Sequence, residues 1–241
     1  MEISPLGDRG LILRVRDSFA STEAEALDEV LGYLEFLRRA NLPGVTELAP
    51  SYTTIAVFYD PARVVAAGAP WPQIFEWLAA YIQTAIANGQ VRLKRPVASA
   101  IEIPVCYEDK FALDLDEVSD HTGLPARRVI ELHSGAEYRV HCVGFTPGFP
   151  YLSGLPAELA TPRRSVPRKE VPAGSVAIGG NQAGIYPMTS PGGWNIIGRT
   201  PLCLFRPVKN PPALLCAGDR VRFRPIGRDE FEMTTRQTVY L

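Results

Sequence analysis

Three arginines, Arg163, Arg164 and Arg168, crowd into the segment Thr161-Pro162-Arg163-Arg164-Ser165-Val166-Pro167-Arg168. A guanidinium is a rigid fork of N–H donors that matches a carboxylate or a phosphate. Further along, Gln182, Tyr186, Ser190 and Thr200 supply amide and hydroxyl groups. Groups of this kind, together with backbone N–H donors, hold an amide or an oxyanion. Between them lie Gly144, Pro147, Gly148, Gly174, Gly184, Gly192 and Gly193. Proline fixes φ and glycine admits left-handed backbone, so loops built from both are shaped before a ligand arrives. The set suits a small anion that carries an amide, or a phosphate. The competing reading is that these arginines are solvated or pair with surface acids, and that the loops only turn corners.

Other reactive residue types form no constellation. Cys106, Cys142, Cys203 and Cys216 are scattered, with no CxxC pair, so neither a disulfide framework nor a zinc site is expected. They read as reduced structural thiols. The alternative, a nucleophilic Cys142 beside His141, is opposed by the alternation of side chains along a strand. His121, His133 and His141 have no metal-ligand spacing; His133 falls near a helix C-terminus, where imidazolium is favoured. No serine or cysteine triad can be assembled and no catalytic residue is assigned. There is no GxxxxGK[ST] phosphate loop.

These loops need elements to carry them. Leu11–Val15 and Tyr52–Tyr59 read as strands; Thr22–Arg39 and Trp71–Ala87 read as helices, the first capped by Ser21 or Thr22. That strand-helix-strand-helix order predicts a small two-layer α/β domain over residues 1–88. Residues 89–100 read as a linker that opens a second domain, 89–241. In it Ile101–Tyr107 and Tyr138–Phe145 read as strands, Leu115–Thr122 and Pro125–Ser134 as short helices. Beyond Gly144, short apolar runs alternate with Gly/Pro turns at 175–178, 184–186, 194–197, 202–205, 220–223 and 237–240, the pattern of a β-barrel or sandwich.

Composition excludes some partners. With 25 basic and 26 acidic residues the net charge is 25 − 26 = −1, too balanced for binding nucleic acid through clustered cations. No apolar run approaches the ~20 residues that cross a bilayer. The start, Met1-Glu2-Ile3-Ser4-Pro5, does not read as a signal peptide, so a cytoplasmic protein is expected.

The run from Gly144 to Thr200, above all Gly148-Phe149-Pro150-Tyr151-Leu152 and Ser190-Pro191-Gly192-Gly193-Trp194, resembles the family that includes the 5-oxoprolinase subunit PxpB, the kinase inhibitor KipI and allophanate hydrolase subunit 1. Pro5-Leu6-Gly7-Asp8, Tyr59-Asp60-Pro61, Glu102-Ile103-Pro104-Val105 and Val129–Ser134 extend the resemblance over nearly the whole chain. Two positions depart from it: Ala183 replaces a usual threonine, and Glu108-Asp109-Lys110 replaces small residues. The resemblance implies an α+β protein, a small α/β domain followed by a cyclophilin-like β-barrel. It implies a subunit of an ATP-dependent 5-oxoprolinase that opens 5-oxo-L-proline to L-glutamate, inactive alone. ATP, with Mg, is then a co-substrate, and no bound metal or organic cofactor is expected. The implied partners are a second barrel subunit, PxpC-like or allophanate hydrolase subunit 2-like, and a PxpA-like subunit. Inhibition of a sensor histidine kinase and a urea or allophanate pathway role are the alternatives. Fold alone does not carry function, and no prolyl isomerisation is expected.

Overall fold

The computed structural model describes residues 1–16, 23–91 and 99–239. Two compact units are present, Met1–Val97 and Ala98–Leu241. The first contains β1 (Glu2–Pro5), β2 (Gly10–Arg14), α1 (Glu23–Arg39), β3 (Val45–Ser51), β4 (Thr54–Tyr59), α2 (Pro61–Ala66) and α3 (Ile74–Asn88). Its sheet is antiparallel in the order β1-β2-β4-β3. Alternation along β2 and β4 buries Leu11, Leu13, Ile55, Val57 and Tyr59. In α1, Leu27, Val30, Leu31, Leu34 and Leu37 recur at three- and four-residue spacing and are buried, and the helix packs on β3 and β4. Asp60 Oδ1 accepts the Ala62 N–H at 2.9 Å and starts α2, with Pro61 in the first turn.

This unit has more elements than the sequence pattern predicts. β1 and β3 are edge strands, and Pro5, Thr46, Glu47 and Pro50 blur their alternation. α3 begins at Ile74 rather than Trp71. The expected caps Ser21 and Thr22, and most of the expected linker, lie outside the described residues.

The second unit contains β5 (Ile101–Val105), α4 (Leu115–Thr122), α5 (Ala126–Gly135), β6 (Glu137–Val143), β7 (Pro150–Ser153), β8 (Arg168–Val171), β9 (Ser175–Gly179), β10 (Gln182–Ile185), β11 (Ser190–Gly192), β12 (Asn195–Arg199), β13 (Arg220–Pro225) and α6 (Arg228–Val239). Seven strands form one sheet in the order β12-β9-β10-β7-β6-β13-β5, and β8 pairs β11 in a separate ribbon. The sheet's two outer strands meet: Cys106 N–H donates to Arg199 C=O at 2.8 Å and Arg199 N–H to Cys106 C=O at 2.9 Å. The sheet is therefore a nearly closed barrel. At this seam a Cβ on Gly198 would come within 2.7 Å of Val105 Cγ1, so only glycine permits the approach. The inner face packs Ile103, Val140, Leu152, Val176, Ile178, Ile185, Ile197 and Val221 into one core. The expected α+β architecture, a small two-layer unit and a barrel unit, is thus present.

Two expected strands are absent. Leu202–Phe205, bounded by Pro201 and Pro207, makes only a single bridge, Phe205 to Ala213. Residues 237–239 close α6 rather than forming a strand, and Tyr240 lies outside the described residues. Earlier in the same helix Arg228 and Glu232 pair at 3.0 Å one turn apart and Phe231 packs at a tilt on Phe111 at 4.4 Å, so residues 237–239 continue a helix already begun.

A buried carboxylate fastens the arginine segment to the barrel. Asp114, fully buried before α4, accepts both arms of Arg168 at 2.7 Å, Arg164 Nη1 at 2.5 Å and the Ile196 N–H at 2.7 Å. Its own N–H donates to Ile196 C=O at 2.8 Å. A buried anion is tolerated only when paired and hydrogen-bonded this fully.

A histidine plugs the core. His133 Nδ1 lies 2.8 Å from the Tyr107 hydroxyl, its ring stacks on Phe223 at 4.4 Å, and Tyr138 Oη donates to its carbonyl at 2.9 Å. The expectation of a charge favoured by the helix terminus fails here. Burial disfavours imidazolium and lowers the pKa from 6.5 to about 3.

Two outcomes are expected. Asp114→Asn strips the compensating charge from two arginines; it should cost about 3 kcal/mol in urea unfolding, and a loss below a few tenths would contradict the fastening role. For His133, the unfolded state binds the extra proton between pH 6.5 and about 3. Its stabilising contribution is whole above pH 6.5 and is lost as pH falls, by about 2 kcal/mol at pH 5. Unfolding free energies at pH 7 and pH 5 should therefore diverge more in the wild type than in His133→Gln; equal slopes would reject the buried neutral imidazole.

Candidate functional site

The outer face of the barrel carries the motif residues. Strand register lines up Cys142 of β6, Tyr151 of β7, Gly184 of β10, Ala177 of β9 and Ile196 of β12 as one row. Small side chains in that row make a shallow trough, and aromatic rings fill it. A Cβ on Gly179 would lie 2.5 Å from the Trp194 ring, and one on Gly184 would lie 2.8 Å from Phe149. Phe149 is the hub: its centroid is 4.9 Å from Tyr151, 5.1 Å from Tyr186 and 5.6 Å from Trp194, in tilted or edge-to-face geometry. Such pairs add roughly 0.5–1.5 kcal/mol each beyond area burial.

The loop after β6 presents one further ring. Thr146 N–H donates to Gly144 C=O at 2.8 Å while Phe145 has φ +68°, a γ-turn of the strained kind. Phe149 N–H then donates to Thr146 C=O at 3.0 Å across Pro147 and Gly148, the latter at φ +84°, as in a type II turn. Phe145 is 64% exposed and stands edge-on to Phe149 at 5.6 Å.

The arginines divide by role. Arg163 is exposed, its guanidinium carbon 5.6 Å from the centre of the Trp194 ring, a cation–π contact. Among the described residues no carboxylate pairs with it. Arg164 and Arg168 are spent on Asp114, with Glu117 3.8 Å from Arg164. Both were expected to bind an external anion; the carboxylate they meet here is that of Asp114, and the buried Arg164 Nε has no hydrogen-bond partner among the described residues.

The remaining expected residues also separate. Tyr186 is buried, and its hydroxyl receives the Trp194 backbone N–H; burial raises its phenol pKa. Thr200 is buried, with its hydroxyl 3.3 Å from the Leu202 N–H in a turn. The Tyr186 ring belongs to the outer aromatic cluster around Phe149, and the Thr200 hydroxyl is taken up in its own turn. Gln182 is half-buried at the start of β10. The Ser190 hydroxyl, on β11, is buried with no hydrogen-bond partner among the described residues. Gly174, at φ +82°, donates to Tyr186 C=O and accepts from Thr200 N–H, and Gly192 lies against the Tyr186 ring. Gly144 and Gly193 would admit a side chain; their carbonyls accept from Thr146 and Arg164.

Sequence reasoning missed Asp114, Phe145 and Tyr151. Asp114 sits in an ordinary-looking helix entry, and nothing local marks it as the partner of arginines 50 and 54 residues away. Tyr151 is half-buried; desolvation raises its phenol pKa and the Arg163 charge pulls it back. Among the described residues no group of three or more His, Cys, Asp or Glu side chains could hold a metal ion, and no helix is long and apolar enough to cross a membrane.

Comparison with known proteins identifies the family. Residues 1–215 match the family model described as carboxyltransferase domain, subdomain C and D. The chain is 38% identical to the 5-oxoprolinase B subunit of Bacillus subtilis (strain 168) over 95% of each protein. It is similar to the crystal structure of TTHA0988, with 37% identity and a TM-score of 0.70 over 90% of this chain, but spans only 40% of that one. The K. lactis urea amidolyase shares the fold, with a TM-score of 0.73 at 18% identity over 98% of this chain and 15% of that chain. The chain belongs to the carboxyltransferase subdomain C and D family, and its relatives include proteins named as the B subunit of 5-oxoprolinase.

Proposed function

We propose that this chain is a subunit of an ATP-dependent 5-oxoprolinase, which opens 5-oxo-L-proline to L-glutamate together with partner subunits. The observation that carries this reading is the full-length likeness to a protein named as the B subunit of 5-oxoprolinase. The barrel face fits it. Arg163 is a cation with no acid partner among the described residues, and it is held in place by an aromatic platform. A lactam carbonyl is a poor electrophile. Transfer of the ATP γ-phosphoryl group to the lactam oxygen releases ADP and leaves an activated imidate. One water adds to the carbon, the ring C–N bond breaks with the nitrogen leaving as the amine, and a second water hydrolyses the resulting acyl phosphate to carboxylate and phosphate. The substrate is itself an anion, so a fixed cation that holds it in place assists the transfer.

His133 is locked in the core, and no residue of this chain is assigned to proton transfer. That role, and the nucleotide site with its Mg, falls to the assembly with a PxpC-like second barrel subunit and a PxpA-like subunit.

ATP hydrolysis stimulated by 5-oxoproline should be measured with the chain alone and mixed with those partners. Stimulated turnover is expected only in the mixture. Arg163→Ala should lower it about 10- to 100-fold, the loss of one charge-assisted contact. No stimulated hydrolysis in any mixture would reject the reading.

A further inference from the structure

Three features of the outer barrel face have no use within the chain. Arg163 has no carboxylate partner among the described residues and lies on Trp194. The Tyr151 hydroxyl makes no hydrogen bond to the described residues, although its ring packs 5.9 Å from Trp194 and the Arg163 charge reaches it. Phe145 is held exposed by a strained turn. Strain of this kind survives where the surroundings enforce it, commonly at ligand sites. All three abut the Phe149–Trp194 pair.

Charge decides what they would take. Arg164 and Arg168 share Asp114, with Glu117 beside them. That leaves Arg163 as the outward arginine of the segment. One guanidinium and one phenol hydroxyl balance a monoanion with a further acceptor. A triphosphate carries several charges and calls for several cations or a metal. We propose that Arg163, Tyr151 and Phe145 form the subsite for the lactam rather than for the nucleotide: Arg163 takes the carboxylate, Tyr151 donates to an acceptor oxygen and Phe145 covers the ring. This assignment rests on the 5-oxoprolinase reading and deepens it by naming which of the two small molecules this face binds.

The test is equilibrium binding by the full chain in a Trp71→Phe/Trp77→Phe background, which leaves Trp194 as the emitting ring. Saturable change with 5-oxoproline is expected. The carboxylate-free analogue 2-pyrrolidinone should bind at least ~10-fold more weakly, the value of one charge-assisted contact. Tyr151→Phe and Phe145→Ala should each weaken 5-oxoproline about tenfold, and Arg163→Ala should erase the preference over 2-pyrrolidinone. Any response to ATP should be the same in all three. Urea midpoints confirm folding, and Arg163→Lys, which keeps the charge, should recover part of the affinity. The inference is overturned if the wild-type chain gives no saturable response to 5-oxoproline, or if the variants leave that response intact, or if they weaken ATP instead. Stimulated ATP hydrolysis in the subunit mixture alongside any of these results would leave the enzyme reading standing without this subsite.

Discussion

The carboxylate of Asp114 is the constraint on which the functional face depends. It is wholly enclosed, yet it receives four hydrogen bonds from Arg164, Arg168 and the Ile196 backbone. One contact is to β12, so the carboxylate ties the entry of α4, the arginine segment and the barrel wall together at a single point. Because Arg164 and Arg168 are drawn inward, their neighbour Arg163 is left to face out over Trp194. The outward arginine is therefore a by-product of the inward pair.

The aromatic face is built by subtraction. Gly179 and Gly184 stand where side chains would otherwise fill the trough, and the missing Cβ atoms let Trp194 and Phe149 lie directly on the strands. A large ring seated on backbone has few ways to move, because strands are stiff and packing is dense. Rigid placement lowers the entropy lost when a small molecule settles against the face. The nearby prolines act similarly, but only in the loops. Over the sheet itself, register does the positioning, through a row that crosses five strands.

Much of this was legible in residue types and spacing. The core strands β2, β4, β6 and β9 and the helices α1, α4 and α5 follow from apolar periodicity, and the Gly/Pro punctuation announces a barrel. Where the pattern misled, the deciding contacts were elsewhere. Residues 237–239 have β propensity, but an ion pair and the Phe231 anchor earlier in α6 hold them in a helix. The arginine segment was recognisable as special, yet the split between Arg163 and its two neighbours depends on Asp114, and no local signal reveals a partner 50 residues away. Tyr186 and Thr200 have the right chemistry for a site, yet burial and local hydrogen bonds take up their hydroxyls. That outcome is set by strand register and turn geometry, which residue types alone leave open.

Strand order in the barrel also bears on how the protein is made. β13 lies between β6 and β5, so the strand nearest the C-terminal end of the sheet completes a gap between two strands translated long before it. During synthesis β6 keeps an unpaired edge, and β5 lacks its parallel partner, until residues 220–225 have left the ribosome. The first unit has no such dependence, since all its strands end by Tyr59. The nascent chain thus passes through a stage with one unit complete and an open, apolar sheet behind it. Exposed edges of this kind recruit other strands. The interval between the emergence of β12 and that of β13 is the stage at which a chaperone would matter most to this chain.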